Sequence, residues 1–192
     1  MKQLRQIIRR LITETFTQNI SIPDPPGESL QELEHVILQY QNRYNPESLQ
    51  QHLDTAMESL FDQVLQIAGY DSQKQKILSL KKDPIVMKTI KDLKNIYKRP
   101  RPDEVASIFG INWKGDGIYM TTDDTYSYPS GHACQAYYIA LELSLLFPTL
   151  KESFLEVANM VAQSRIDRGV HFLSDIEAGK LLAYKLHKAL NR

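Results

Sequence analysis

The sequence predicts an all-α fold, a single-domain bundle of roughly eight helices over residues 1–192. Three observations carry this expectation. Apolar residues recur at three- and four-residue spacing along most of the chain, the period of a helix that buries one face. Alternating β-branched runs, the mark of half-buried strands, are nearly absent. Prolines and most glycines fall between the periodic segments, where they start and stop helices. A length of 192 residues suits one core. No repeat, low-complexity tract or linker divides the chain.

The elements follow in order. Leu4, Ile7, Ile8, Leu11, Ile12 and Phe16 line one face of a first amphipathic helix. Ser21 to Gly27 holds three prolines and reads as a loop. A second helix runs from about Ser29 to Tyr40, with Leu30, Leu33, Val36, Ile37 and Tyr40 inward. Asn45-Pro46-Glu47 is a start signal for a third, which carries Leu49, Leu53, Met57, Leu60, Phe61, Leu65 and Ile67 and ends at Gly69. Asp71 is expected to cap a fourth, through about Leu80. Asp83-Pro84 starts a fifth, with Ile85, Met87, Ile90, Leu93 and Tyr97. Arg99-Pro100-Arg101-Pro102 stops it, because each proline removes a donor and biases its predecessor away from helix. From Asp103 to Tyr128 the period fails, which predicts a long connection with one short turn at most. Such loops in compact domains are usually functional or mobile. Helices resume over Gly131–Leu146, Lys151–Arg165 and Phe172–Leu190, with Gly169 between the last two.

Composition narrows the function. Formal net charge is zero, so no global field draws the chain to nucleic acid or an anionic membrane. The longest apolar stretch, Ala133–Phe147, is broken by Glu142 and is shorter than the ~20 residues of a membrane span, so no transmembrane segment is expected. The first ten residues interleave charge with apolar side chains and lack the apolar core of a secretory signal, which makes the cytoplasm the expected compartment. Cys134 is the only cysteine. It excludes an internal disulfide and reads as a small buried hydrophobe. Between Lys74 and Arg101 ten cations face only Asp83 and Asp92. Most belong to a solvated face, but the end of the stretch is a candidate anion site.

Three fragments carry the chemistry. The first is Lys94, six residues, then Arg101-Pro102. The second is Pro129-Ser130-Gly131-His132, where a loop enters an apolar helix. The third is Ser164-Arg165, five residues, His171, three residues, Asp175. A multiply charged oxyanion needs several fixed donors, which Lys94, Arg101 and Arg165 provide. Ser130 and Gly131 place a hydroxyl and free N–H groups at a helix N-terminus. Asp175 lies four residues after His171, so it can orient that imidazole and leave one nitrogen as nucleophile. Taken singly, Ser130 is also readable as a helix cap, His132 as an incidental histidine and His171–Asp175 as a surface pair. A metal set of His132, His171 and Asp175 is an alternative, but three cations would then crowd a cation.

The three-part set resembles the type 2 phosphatidic acid phosphatase superfamily, which includes class A bacterial acid phosphatases and vanadium haloperoxidases. Every defining position of that family's pattern is matched in order, over about Lys94 to Gly179. Residues 1–93 show no motif of the family. Tyr126 and Phe172 depart from the soluble acid phosphatases, which often carry Gly and Trp there. The resemblance implies an acid phosphatase/vanadium haloperoxidase-like helical fold and a phosphate monoester hydrolase. It implies His171 as nucleophile, Asp175 as its partner and His132 as general acid. It implies a clamp of Lys94, Arg101, Ser130, Gly131 and Arg165 on the phosphate. No metal and no cofactor are expected, although phosphate or vanadate can occupy such a site. The expected partner is a small-molecule phosphate ester, with lipid phosphates reachable through the amphipathic first helix. A vanadate-dependent haloperoxidase and a non-enzymatic phosphate-binding module are the two alternatives. Asp123, Asp124, Trp113, Met120 and Tyr126 are candidates for the entrance. His35, His52 and His187 read as helix-surface histidines.

Overall fold

The helix over Gly131–Leu146 is apolar on nearly every side, and Ala133, Ala136, Ile139, Ala140 and Leu143 are buried. A helix without a polar face must be surrounded, and it forms the centre of the molecule. The computed structural model describes residues 20–43, 57–115 and 126–191. Among these residues it holds eight α-helices, one short 3-10 turn and no strand. In chain order they are α1 (Leu30–Asn42), α2 (Met57–Ile67), α3 (Lys74–Lys81), α4 (Pro84–Tyr97), α5 (Pro102–Ile108), α6 (Gly131–Leu146), α7 (Lys151–Asp167) and α8 (Leu173–Leu190). The all-α class therefore stands. The helix expected over Leu4–Phe16 and the Asn45-Pro46 start signal lie outside the described residues.

α7 and α8 are the principal neighbours of α6, and α2, α3 and α4 complete its surroundings directly or through α7. Phe154 of α7 packs on Phe61 of α2 at a ring distance of 6.3 Å. Leu33 and Val36 of α1, Leu143 of α6 and Leu182 and Leu186 of α8 close the same core. Each large apolar side chain removed from water contributes about 1.5–3 kcal/mol, and the core joins α1 and α2 to the motif-bearing helices.

Most expected helix ends are found. Ser29 caps α1 by accepting the Glu32 N–H at 3.3 Å. Asp83 caps α4 by accepting from Ile85 N and Val86 N, with Pro84 in the first turn. Gly69 follows α2 with φ +84, and the Tyr70 N–H returns to the Leu65 carbonyl at 2.9 Å. Two expectations are corrected. Asp71 does not cap α3, whose N-cap is Gln73. Asp62, from α2, instead accepts the Gln73 N–H at 2.6 Å and the Ser72 hydroxyl at 2.7 Å. A helix end needs an acceptor, and a tertiary neighbour supplies it here. The stretch after Pro102 also contains a true helix, α5, with Pro102 at its start and Asp103 and Glu104 in its first turn. Seven residues are too few to show a period, and only Pro102, Val105 and Ala106 are buried.

Candidate active site

The C-terminal end of α4, the start of α5, the N-terminal ends of α6 and α8 and the C-terminal end of α7 converge. Each is a place where helical backbone groups lack partners. Backbone bonds fix the convergence. Ser130 N donates to the Asp175 carbonyl at 2.9 Å, and Ser127 N donates to the Arg99 carbonyl at 2.9 Å. The three sequence fragments are thereby held against one another.

His171 is buried in the turn between α7 and α8. That turn is made by Gly169, which follows the α7 cap Arg168 with φ +69. The Gly169 N–H returns to Ile166 O at 2.8 Å and the Val170 N–H to Arg165 O at 3.1 Å. A Cβ at Gly169 would lie 2.6 Å from the Trp113 ring, so both the left-handed backbone and the packing demand glycine. Trp113, expected at the entrance, serves this packing and meets Tyr40 edge-on at 5.6 Å.

His171 Nδ1 lies 3.2 Å from Asp175 Oδ2 and 3.4 Å from Ser127 Oγ. Its Nε2 lies 3.1 Å from Arg101 Nη1. A guanidinium only donates, so Nε2 is the acceptor. The proton therefore sits on Nδ1 and is donated to Asp175, leaving the Nε2 lone pair toward the cations. Burial first, then Arg101, Lys94, Arg165 and His132, push the His171 pKa well below its usual value. The imidazole is neutral.

Asp175 is 0% exposed. Its Oδ2 accepts from Ser127 Oγ in a short bond, from Phe172 N at 2.8 Å and from His171. Its Oδ1 accepts from Arg99 Nη1 at 2.7 Å. Burial raises its pKa, and Arg99 is the largest opposing influence.

The cations surround this pair. Lys94, in the last turn of α4, bonds the Tyr126 carbonyl closely and the Ser127 carbonyl at 3.3 Å. Burial and then Arg101 lower its pKa to about 7, with Asp175 opposing. Arg101, the N-cap of α5, also donates to the Val170 carbonyl at 2.6 Å, while Glu104 accepts its backbone N–H at 2.6 Å. Arg165 is 1% exposed in the last turn of α7, where burial and then Arg168 disfavour its charge. Ser130 is the N-cap of α6, with its Oγ 3.4 Å from Ala133 N. Gly131 and His132 open that helix, and part of the His132 residue surface stays accessible. Burial in the pocket, then Lys81, Arg101, Lys94 and Arg168, lower the His132 pKa to about 4.

All eight residues expected from the sequence thus lie in this one region. The alternative metal set is not assembled: among the described residues no three His, Cys, Asp or Glu side chains converge as ligands. What the arrangement holds instead is a concentration of fixed positive charge around two neutral imidazoles. That is an environment for an oxyanion.

The model of the PAP2 superfamily matches residues 84–191, more than half of the chain. The chain belongs to the PAP2 superfamily. Over 106 residues this PAP2 protein is 39% identical to an acid phosphatase of Zymomonas mobilis, covering 47% of the present chain and 40% of that protein. It is similar to a bacterial vanadium-dependent iodoperoxidase at a TM-score of 0.64 and 18% identity, over 88% of its own length and 51% of the other. That likeness is one of fold. A transmembrane PAP2-type phosphatidylglycerolphosphate phosphatase of Bacillus subtilis aligns at a TM-score of 0.47 and 17% identity. The chain spans about half or less of the length of the first two proteins. Among the described residues of this PAP2 protein, no helix is long and apolar enough to cross a membrane.

Sequence reasoning missed four residues at this PAP2 site. Arg99 and Ser127 hold Asp175 directly. Arg168 lies beside Arg165 and His132. Glu32 reaches the site from α1 by bonding Arg99 Nη2 at 2.6 Å. Arg99 had a signal, since a charged residue between a lysine and a proline pair ends an otherwise regular helix. Glu32 had none, because its partner lies 67 residues away. Asp123, Asp124 and Met120 fall outside the described residues. Tyr126 is exposed and contributes its carbonyl to Lys94. His35 is exposed on α1, His187 pairs with Glu142 at 2.8 Å away from the site, and His52 is outside the described residues.

Proposed function

We propose that this protein is a phosphatase that hydrolyses phosphate monoesters through a phosphohistidine on His171, without a metal ion. The observation that supports it best is the tautomer of His171. Asp175 holds Nδ1–H and the Nε2 lone pair points into the cations. In this reading the phosphate displaces Arg101 from Nε2 and takes its guanidinium as a ligand. Arg165, Lys94, the Ser130 hydroxyl and the Gly131 N–H hold the other oxygens. Nε2 then attacks phosphorus in line with the leaving oxygen, and the developing charge is met by groups already in place.

His132 supplies the proton to the leaving alkoxide. Burial first, and then the surrounding cations, hold it neutral. A bound dianion reverses that field and raises its proton affinity, so substrate binding itself arms the acid. After the alcohol leaves, the neutral His132 takes a proton from water, which opens the phosphohistidine.

The experiment is phosphate release from an aryl phosphate, with and without a chelator, and acid-labile phosphate trapped on the protein. His171→Ala is expected to lower turnover by a factor on the order of a thousand or more and to abolish trapping. His132→Ala should be milder on substrates with good leaving groups, since an acid helps a poor alkoxide most. Chelator-sensitive activity restored by one metal ion overturns the metal-independent reading. A protein silent on phosphate esters that oxidises iodide with vanadate and peroxide overturns the phosphatase.

A further inference from the structure

The residues assigned to phosphate and proton transfer do not account for Arg99. It is 5% exposed, and three side-chain hydrogen bonds commit it to Asp175, Ser174 and Glu32. Nη1 donates to Asp175 Oδ1 at 2.7 Å and to Ser174 Oγ at 2.6 Å, and Nη2 donates to Glu32 Oε2 at 2.6 Å. Ser174 Oγ in turn donates to the other Glu32 oxygen at 2.6 Å. The guanidinium also lies over the Phe172 ring at 4.3 Å, the residue between His171 and the start of α8. Three of its five N–H donors are thereby tied to protein oxygens, and the ring of Phe172 backs the guanidinium plane.

We propose that Glu32 and Arg99 are positioning residues for the nucleophile, a relay from α1 through Asp175 to His171. It rests on the reading of His171 as nucleophile. Asp175 takes its orientation from bonds on both oxygens: Ser127, Phe172 N and His171 hold Oδ2, and Arg99 holds Oδ1. If Arg99 tilts, the carboxylate rotates and the imidazole follows it. Glu32 keeps Arg99 from tilting and offsets part of its charge. A planar fork can span Asp175, Ser174 and Glu32 together, and an ammonium group cannot. α1 lies in the part of the chain without family motifs, so the relay gives that part a role in the chemistry.

The relay makes a signature that simple structural support does not. The groups facing His171 are Lys94 from α4, Arg101 from the α5 cap, His132 from α6, Arg165 from α7 and Asp175 from α8. Substitutions at Arg99 and Glu32 leave all of these in place. Arg99→Lys is expected to lower kcat about ten- to a hundredfold with KM within about threefold, because the phosphate clamp is intact. Glu32→Gln is expected to give a smaller fall, about tenfold or less. The double variant should be no worse than Arg99→Lys alone, since both act through one contact. NMR of the His171 ring nitrogens reads the relay without any turnover. Arg99→Gln removes a cation and should move protonation of His171 upward. Glu32→Gln removes an anion and should not move it upward.

Additive losses in the double variant, a rise in KM with kcat unchanged, or an unchanged His171 titration in folded Arg99→Gln would each overturn the proposal. Should Arg99→Gln not fold, Glu32→Gln and Arg99→Lys decide on kcat and on the ring-nitrogen shifts. Failure of the phosphatase reading is distinguishable: the wild type would then release no phosphate, while the NMR comparison would still report whether Arg99 sets His171.

Discussion

Arg165 reaches the site from the last turn of α7, and the Gly169 turn brings it covalently close to His171. A forked guanidinium can align two phosphate oxygens, whereas lysine offers a point charge. Arg165→Lys is therefore expected to lower kcat on an aryl phosphate by roughly ten- to a thousandfold, with circular dichroism confirming the fold. An unchanged kcat would make Arg165 structural. Lys94 sets a second expectation. Burial holds its pKa at about 7, far below the ~10.4 of a free lysine, so it is largely neutral near pH ~8. A bound oxyanion favours its charged form. Tungstate binding at that pH should thus take up protons, measured by calorimetry in buffers of different ionisation enthalpy, and Lys94→Met should lower the uptake, leaving the share of His132. By the same sign, affinity for the anion should weaken as pH rises through 7.

At the scale of elements, the site depends on how closely α8 approaches the N-terminus of α6. Gly179 makes the approach possible: a Cβ there would lie 2.5 Å from the Ser130 carbonyl and 3.2 Å from Cys134 N. Gly179→Ala must push the two helices apart, at a cost of about 1–3 kcal/mol. It also moves Ser130 and Gly131 relative to His171. Denaturation should show the loss of stability, and kinetics should show a fall in turnover beyond it. Gly131→Ala is the control. Its Cβ would meet only Ile90 Cγ2, at 3.4 Å, so the stability change should stay small. If both alanines are equally tolerated, the close helix approach is not what holds the site together.

Across the whole molecule, charge is balanced by formal count but not by depth. Among the described residues the buried cations are Lys94, Arg99, Arg101, Arg165 and Arg168, and the buried carboxylates are Asp62 and Asp175. Asp62 is committed to the start of α3, which leaves Asp175 as the buried counter-charge near the site. Burying like charges is costly, and a bound oxyanion relieves it. Tungstate at a hundredfold over its Kd should stabilise the fold by about 2.7 kcal/mol, read as a rise in Tm. The rise should shrink in Arg165→Lys and should not depend on a chelator. No rise at saturating tungstate would mean that the pocket binds no oxyanion.

The sequence by itself determined the helical class, most helix ends and the eight residues that gather at the site. The class and the helix ends depend on local physics, a 3.6-residue period and caps at fixed offsets, and the eight residues stood out together because their three-part spacing resembles the family's pattern. The spacing of four residues made His171 and Asp175 legible as a pair, although His171 lies just before the helix and Asp175 reaches it by folding back over the start of α8, where it also accepts Phe172 N. Their surroundings were not. That Arg101 sits on Nε2 and so sets the tautomer is a contact 70 residues apart. That α3 takes its cap from Asp62, and that Glu32 steadies Arg99, are likewise contacts between elements. α5 was missed for the opposite reason, being too short to leave a period. Only the tertiary structure decided which cations face an imidazole, which face a carboxylate, and how deeply each is buried. Those depths turn a set of basic residues into an anion site, because removing water multiplies the strength of every charge that remains.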